Sequence, residues 1–245
     1  MPSERDLMHD VVIVGGSVAG ASAAIHLARA GHDVLLIERS RDHRRKACGE
    51  GVFPAGVREL ADLDVLDRLR KNASELGELR FIAGPHIATA PLGRDGAHGL
   101  GVQRSLLDPA LIGAAEAAGA SVRRGIAARG LVRSPEGVAV RTDAGILHAR
   151  FVIAADGLRS RLRRDAGLER PTRARRYGVS AHVRLLSLDP SRVDVHIERG
   201  RELYITPVGG NDANVALLVG RDAMPAFAGD PAAAFRRELD AHDVL

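Results

Sequence analysis

Residues 11–38 read Val11-Val-Ile-Val-Gly15-Gly-Ser-Val-Ala-Gly20-Ala-Ser-Ala-Ala-Ile-His-Leu-Ala-Arg-Ala30-Gly-His-Asp-Val-Leu-Leu-Ile37-Glu38, and this stretch decides the fold. Val11 to Val14 is a β-branched run bounded by Asp10 and Gly15, the pattern of a strand buried on both faces. Ala21 to Ala30 favours a helix and Gly31 is a natural stop. Asp33 to Ile37 is a second apolar strand, ending at Glu38. A strand, a helix and a strand in under thirty residues require parallel pairing through a right-handed crossover. The chain is therefore α/β at its N-terminus.

The turn between the first strand and the helix carries chemistry. A dinucleotide pyrophosphate needs backbone N–H groups at a helix N-terminus, with no side chains in the way. In Gly15-Gly16-Ser17-Val18-Ala19-Gly20, Gly15 can make the tight turn and Gly20 lets the helix pack against the strand. Ser17 replaces the usual middle glycine, and its hydroxyl can donate to phosphate. Glu38 closes the second strand, where a carboxylate accepts from the hydroxyls of an adenosine ribose. The plain alternative is an ordinary strand-to-helix turn beside a surface acid.

Composition narrows the rest. The chain has 245 residues, 45% hydrophobic and 27% charged, with one cysteine, Cys48. An intrachain disulfide and a cysteine-built zinc site are both excluded, and the histidines show no metal-ligand spacing. The formal net charge of +4 comes from arginines interleaved with acids. The densest runs are Arg39 to Lys46, Arg159 to Arg164 and Arg170 to Arg176. With 3% aromatic residues to stack on bases, a solvated arginine-rich surface explains the charge and no nucleic-acid partner is expected. Val11 to Ala28 carries no formal charge, but Gly15, Gly16 and Gly20 break it and no basic run precedes it. Neither a signal peptide nor a membrane span is expected, and the reading is cytoplasmic.

Further along, Pro54 to Leu69 has a helical pattern. Short strands follow over 78–102, then Ser105 is expected to cap a helix over Leu106 to Ala118 stopped by Gly119. Strands about 121–133, 136–142 and 146–150 are joined by turns at Pro135-Glu-Gly137 and Asp143-Ala-Gly145. Phe151 to Ala155 reads as another buried strand, leading into Asp156-Gly157. Beyond residue 175 the periodicity is mostly two, with strands at Val179–Leu186, Val193–Ile197, Leu203–Ile205 and Val215–Val219. A helix then runs from about Pro231 to Asp240.

Asp156-Gly157 lies at the carboxyl end of a strand, the side on which open α/β sheets bind ligands. Glycine permits close backbone approach there, and Ser160 and Arg163, one turn apart, brace the loop or meet phosphate. The plain alternative is an Asp-Gly turn capping a helix.

Glu38-Arg39, Lys46-Ala-Cys48-Gly-Glu-Gly51, Arg104 before its helix, Ala155-Asp-Gly-Leu-Arg-Ser-Arg-Leu-Arg163 and Tyr204-Ile-Thr-Pro207 together resemble the FAD-dependent monooxygenase and geranylgeranyl-reductase-like flavoprotein superfamily, which shares the p-hydroxybenzoate hydroxylase fold. The resemblance implies FAD in extended form. Gly15, Gly16, Ser17, Val18, Ala19 and Gly20 would hold the pyrophosphate, Glu38 and Arg39 the adenosine end, and Arg104 the edge of the site. Asp156 and Gly157 would contact FAD and help arrange NAD(P)H, the expected electron donor. In the reductase-like branch the loop of Cys48, Gly49 and Gly51 runs near the flavin. Read by itself, a lone cysteine is more often an inert buried residue. His182 and His196 fall on strands, where lining a substrate pocket or plain packing are both open.

The implied fold is an FAD/NAD(P)-binding Rossmann-like domain of the glutathione reductase type, residues 1–75 and 100–174, with an inserted mostly antiparallel β-sheet substrate domain, 76–99 and 175–245. The superfamily's later Gly-Asp motif is not matched, because Gly229-Asp230-Pro231 follows no buried strand and reads as a helix start. The FAD domain is therefore expected to lack its C-terminal part. The implied function is an FAD-dependent oxidoreductase. NAD(P)H would reduce the flavin, and a small organic substrate (aromatic, polyketide or isoprenoid-like) would then be hydroxylated, epoxidised or reduced. No catalytic acid–base pair stands out, as expected where the cofactor carries the chemistry. The competing readings are a truncated, non-catalytic dinucleotide-binding remnant and an NAD-only dehydrogenase. The last leaves Asp156-Gly157 and the Lys46–Gly51 loop unexplained.

Overall fold

The computed structural model describes residues 8–42, 46, 49–134, 137–170, 176–185 and 187–241. The expectations at Cys48, at the Pro135-Glu136 turn and for the basic runs at 43–45 and 171–175 lie outside the described residues. In chain order the elements begin β1 (Met8–Val14), α1 (Val18–Arg29), β2 (Val34–Glu38), β3 (Gly51–Val52), α2 (Pro54–Asp62) and α3 (Leu66–Arg70). Then come β4 (Ser74–Leu76), β5 (Glu78–Ala83), β6 (His86–Pro91), β7 (Gly99–Gly101), α4 (Arg104–Ala117), β8 (Ser121–Arg124), β9 (Ala128–Ser134), β10 (Gly137–Thr142) and β11 (Gly145–Ala154). The chain continues through α5 (Arg161–Asp165), β12 (Arg176–Arg184), β13 (Arg192–Glu198), β14 (Arg201–Pro207), β15 (Asp212–Gly220), a 3₁₀ helix over Arg221–Phe227 and α6 (Pro231–Ala241). These pack into two compact units: 1–44, 62–65 and 105–171, and 45–61, 66–104 and 172–245.

The first unit is built on a six-stranded sheet of order β8-β2-β1-β11-β10-β9. β8, β2, β1 and β11 are parallel neighbours, and β11, β10 and β9 form an antiparallel meander. Val12, Val14, Leu35 and Ile37 face a core shared with Val140, Ala149 and Leu162. The alternate residues Val11, Ile13, Val34 and Leu36 are also buried. Burial on both faces is why these strands read as continuous apolar runs.

Two expectations about this unit change. Phe151–Ala155 is no separate buried strand. β11 is continuous for ten residues, and Phe151 keeps 65% of its surface exposed. The physical reason is that one strand serves two partners, β10 over its first half and β1 over its second, so no turn is needed at Arg150. The helix before Gly119 starts at Arg104, so Ser105 lies inside its first turn and does not cap it. Gly119 and Gly31 do stop their helices, at φ +102 and +84.

The expected helix over Pro54 to Leu69 is two, α2 and α3. Asp64 between them sits at φ +59, a left-handed conformation that no helix can continue. Arg29 holds that backbone, donating to Asp62 O and to the Asp64 carboxylate, each at 2.6 Å.

The second unit carries a six-stranded sheet of order β12-β15-β14-β13-β5-β6, antiparallel except for β13 beside β5. A small three-stranded sheet, β3-β7-β4, accompanies it. Ala213, Val215, Leu217, Val219, Leu203 and Ile205 pack against Phe227, Ala234, Phe235 and Leu239. The even-numbered residues of β12, β14 and β15 consequently occupy the other face. Among them, the Tyr204 hydroxyl donates to Glu202 and Arg176 pairs with it at 2.7 Å, which together hold the Glu202 carboxyl below the usual carboxylate range. A depressed folded value means that this stabilisation is complete above the unfolded value and is lost as pH falls through the folded one. Glu202→Gln is thus expected to lose stability less steeply than wild type between about pH 5 and pH 3, read from urea midpoints. Identical slopes would remove the assignment.

No described helix is long and apolar enough to cross a membrane.

Candidate functional site

In the first unit the glycine turn sits at the carboxyl ends of β1 and β11. Gly15 donates its N–H to Ile37 O at 2.8 Å and has φ +111. A Cβ on it would lie 2.3 Å from Ala155 O. At Gly20 a Cβ would lie 1.9 Å from Gly15 O, so α1 approaches the turn as closely as backbone permits. Both glycines are demanded by backbone meeting backbone. Ser17 takes the extended N-cap conformation without a side-chain capping bond, and α1 has no acidic residue in its first turn. The positive end of the helix dipole therefore faces outward with no carboxylate of its own helix against it. The Ser17 hydroxyl points to Asp108, a buried acid of α4, at 3.4 Å.

Glu38 does more than close its strand. Its Oε2 accepts from Gly16 N at 2.8 Å and its Oε1 from Ser40 N at 2.9 Å. The carboxylate thereby ties the end of β2 to the glycine turn, and each oxygen retains a lone pair for a hydroxyl donor. Gly16 is tightly enclosed: its Cβ would lie 3.1 Å from Glu38 Cβ and 3.2 Å from the Leu36 and Ile112 side chains, so a side chain there requires these neighbours to shift. Arg39 beside it is exposed.

Asp156 follows β11 directly. Its Oδ2 accepts from Arg161 N at 2.9 Å and more weakly from Leu162 N at 3.4 Å, so it caps the first turn of α5. Ser160 accepts from Arg163 N at 2.9 Å, and the Arg163 guanidinium donates to Leu158 O at 2.8 Å. Ser160 and Arg163 thus brace the loop. The other Asp156 oxygen, Oδ1, is buried with no hydrogen-bond partner among the described residues. Buried polar atoms are nearly always paired, so an orphaned acceptor beside a glycine turn marks a place for a donor from a ligand. Gly157, at φ +90, has nothing within 4 Å of where a Cβ would stand.

The second unit holds a cluster that the sequence reading passed over. Glu50 is only 4% exposed. Its Oε1 accepts from Arg104 N at 2.8 Å, and its Oε2 from Asn214 Nδ2 at 2.7 Å and His182 Nε2 at 2.6 Å. Gly49, at φ +91, lies against Arg104, whose Nη1 would stand 2.8 Å from a Cβ there. The only sequence signal for Glu50 was an acid held between two glycines. Its partners lie 54 to 164 residues away, beyond any local pattern. Asp108 was missed for the same reason.

A sheet with parallel β8, β2, β1 and β11, a glycine turn, an acid ending the second strand and an aspartate with one unpaired oxygen at a neighbouring strand end defines a dinucleotide-binding protein of the Rossmann class. The chain belongs to the FAD-binding domain family, which it matches over residues 8–216. It is 31% identical to digeranylgeranylglycerophospholipid reductase 2 of Methanopyrus kandleri over 96% of this chain and 60% of that protein. To rifampicin monooxygenase of Streptomyces venezuelae it is 33% identical over 67% of this chain and 35% of that one. Among solved structures, a flavoprotein/dehydrogenase from Cytophaga hutchinsonii superposes with a TM-score of 0.84 at 19% identity, covering 97% of this chain and 62% of that one. The chain thus spans about 60% of the reductase it matches. The superfamily and its α/β-plus-sheet architecture stand as expected from the sequence.

Proposed function

We propose that the protein is an FAD-dependent oxidoreductase acting on a small organic substrate, with NAD(P)H as electron donor. The observation that carries this reading is the unpaired Asp156 Oδ1 beside a glycine turn whose helix N-terminus has no acid in its first turn. Flavin, when bound, supplies the two-electron chemistry. Within Gly15 to Gly20 the N–H groups of Gly15 and Gly16 are taken by Ile37 O and Glu38, so the turn holds the pyrophosphate through the N-terminal turn of α1 that follows them, and Ser17, donating to Asp108, braces it. Glu38 and Arg39 take the adenosine end, and Asp156 with Gly157 holds a hydroxyl or amide donor of the cofactor. Cys48, Gly49 and Arg104 are assigned as cofactor-contacting residues on the resemblance to flavoproteins. The functional division, 1–75 with 100–174 for FAD and 76–99 with 175–245 for substrate, is drawn by ligand role, whereas the compact units are drawn by packing.

For the chemistry, reduction of a carbon–carbon double bond is favoured by the Lys46–Gly51 string and by the likeness to the archaeal reductase along nearly all of this chain. Hydroxylation or epoxidation is the second reading, supported by the likeness to the rifampicin monooxygenase.

Titration of the purified chain with FAD, followed by flavin fluorescence with NAD as control, tests the cofactor. Saturable binding is expected at about 1 µM or tighter, with bleaching on addition of NADPH. Asp156→Ala is expected to weaken binding about tenfold or more, since it removes a charged acceptor. A folded chain that binds NAD and not FAD would overturn the reading.

A further inference from the structure

We infer that His182 is an acid–base residue working through Nδ1, and that Glu50 is the buried residue that positions it. The inference deepens the flavoenzyme reading and rests on it, because it assigns a proton-exchanging group to that enzyme's substrate sheet.

Glu50 lies in a loop on the face of the second sheet opposite α6. That face carries His182 and Asn214, which pair across β12 and β15, and the Gly51 position stands 3.4 Å from the Thr206 methyl. A carboxylate is acceptor-only, so each of its three contacts must come from a donor. Arg104 N and Asn214 Nδ2 are donors by nature, and His182 must therefore carry its proton on Nε2. Nδ1 is then the acceptor of the neutral ring, and no described residue occupies it. The side chain is 21% exposed while that of Glu50 is 3%. The exposed part of the ring is thus the part that Glu50 does not hold.

Small residues lead away from the ring along its strand. Along the same face, His182 is followed by Ser180 and Gly178 on β12 and by Ala216 on β15. A Cβ at Gly178 would meet nothing within 4 Å. Arg184 and Asp212, the next charged groups on that face, pair with each other at 3.3 Å, the arginine exposed and the aspartate half-buried. The arrangement is a strip of small residues with one imidazole at its end, bordered by Tyr204 beside Ala216 and by Leu218 beside Gly178, fit for a flat small molecule bearing an ionisable hydroxyl or a carbonyl. Nδ1 of the neutral ring takes the proton of a ligand O–H, giving an imidazolium whose Nε2–H still donates to Glu50. In reverse, the imidazolium returns that proton to the ligand. A buried carboxylate that fixes the tautomer and stabilises the charged ring is a recurring device for a histidine that works as a base. A mere strut would have no use for an exposed ring edge.

The test uses the full, FAD-loaded chain labelled with ¹⁵N-histidine, with His182 assigned from His182→Gln. Long-range ¹H–¹⁵N spectra are expected to show the neutral ring protonated at Nε2. Diethyl pyrocarbonate, a small carbonyl electrophile, is expected to acylate Nδ1 at neutral pH, mapped by peptide mass. Glu50→Gln is expected to invert the tautomer. Its amide oxygen must keep Arg104 N, its NH₂ then faces His182, and with both ring nitrogens engaged acylation falls about tenfold. Wild-type His182 protonated at Nδ1, or unreactive, overturns the inference without recourse to any variant. An unchanged tautomer and rate in Glu50→Gln overturn the role of Glu50. Flavin absorbance of the same samples separates the two readings: bound FAD with a silent His182 sinks this inference alone, and a reactive His182 without FAD sinks the flavoenzyme.

Discussion

Gly20→Ala is expected to destabilise the protein by about 3 kcal/mol and to weaken FAD binding about a hundredfold. The added methyl would be 1.9 Å from Gly15 O and 3.2 Å from Ala155 Cβ. The first of these is backbone, which cannot swing aside like a flexible side chain. Either α1 shifts outward by about 1 Å or the turn opens, and both carry the N–H groups away from the pyrophosphate position. Gly113→Ala is the control, because that glycine lies within α4 and has nothing within 4 Å of its Cβ position. It is expected to gain about 0.5–1 kcal/mol from helix propensity and to leave FAD binding unchanged. Urea unfolding and FAD titration of the two variants decide the matter. If Gly20→Ala behaved like Gly113→Ala, the close approach of helix and turn would not be what the site needs.

Glu50→Leu is expected to cost about 3–5 kcal/mol. Leucine fills much of the volume, so packing loss is a minor part. The cost arises because Arg104 N and Asn214 Nδ2 lose their acceptor inside the protein, and each buried orphan donor costs its desolvation. His182 can turn to water with its exposed edge and contributes less. Arg129→Ala, which removes the exposed Arg129–Asp143 pair 3.3 Å apart and leaves the Asp143 bond to Ala127 N in place, should by contrast cost no more than about 0.5 kcal/mol. The Glu50 effect should also be local, with amide protection falling in β12 and β15 before it falls in β1 and β2. Hydrogen exchange reads this, and uniform loss of protection would argue against a local knot.

The glycine turn was legible in the sequence because everything it requires is local. Gly15, Gly20 and Glu38 lie within one β-α-β unit, and each residue type has a single physical reason to be where it is. Asp156-Gly157 was legible for the same reason, as a strand end followed by a turn. The break at Asp64 was not, since leucines at Leu60, Leu63, Leu66 and Leu69 continue the helical period through a residue that Arg29 holds left-handed. Nor was the single strand β11, because its continuity depends on which neighbours it finds on either side.

By itself the sequence determined the fold class and the glycine turn with its closing acid, which follow from periodicity, glycine sterics and strand ends, while its motifs carried the resemblance to the superfamily that the family match bears out. Only the tertiary structure decided that Glu38 is bonded to Gly16, that Asp156 keeps one oxygen unpaired, and that Glu50 gathers Arg104, His182 and Asn214 around one buried carboxylate. The physical reason is separation along the chain. A buried charge is acceptable only where several donors converge on it, and no pattern along the chain reveals which distant segments the packing of two sheets will bring to that carboxylate.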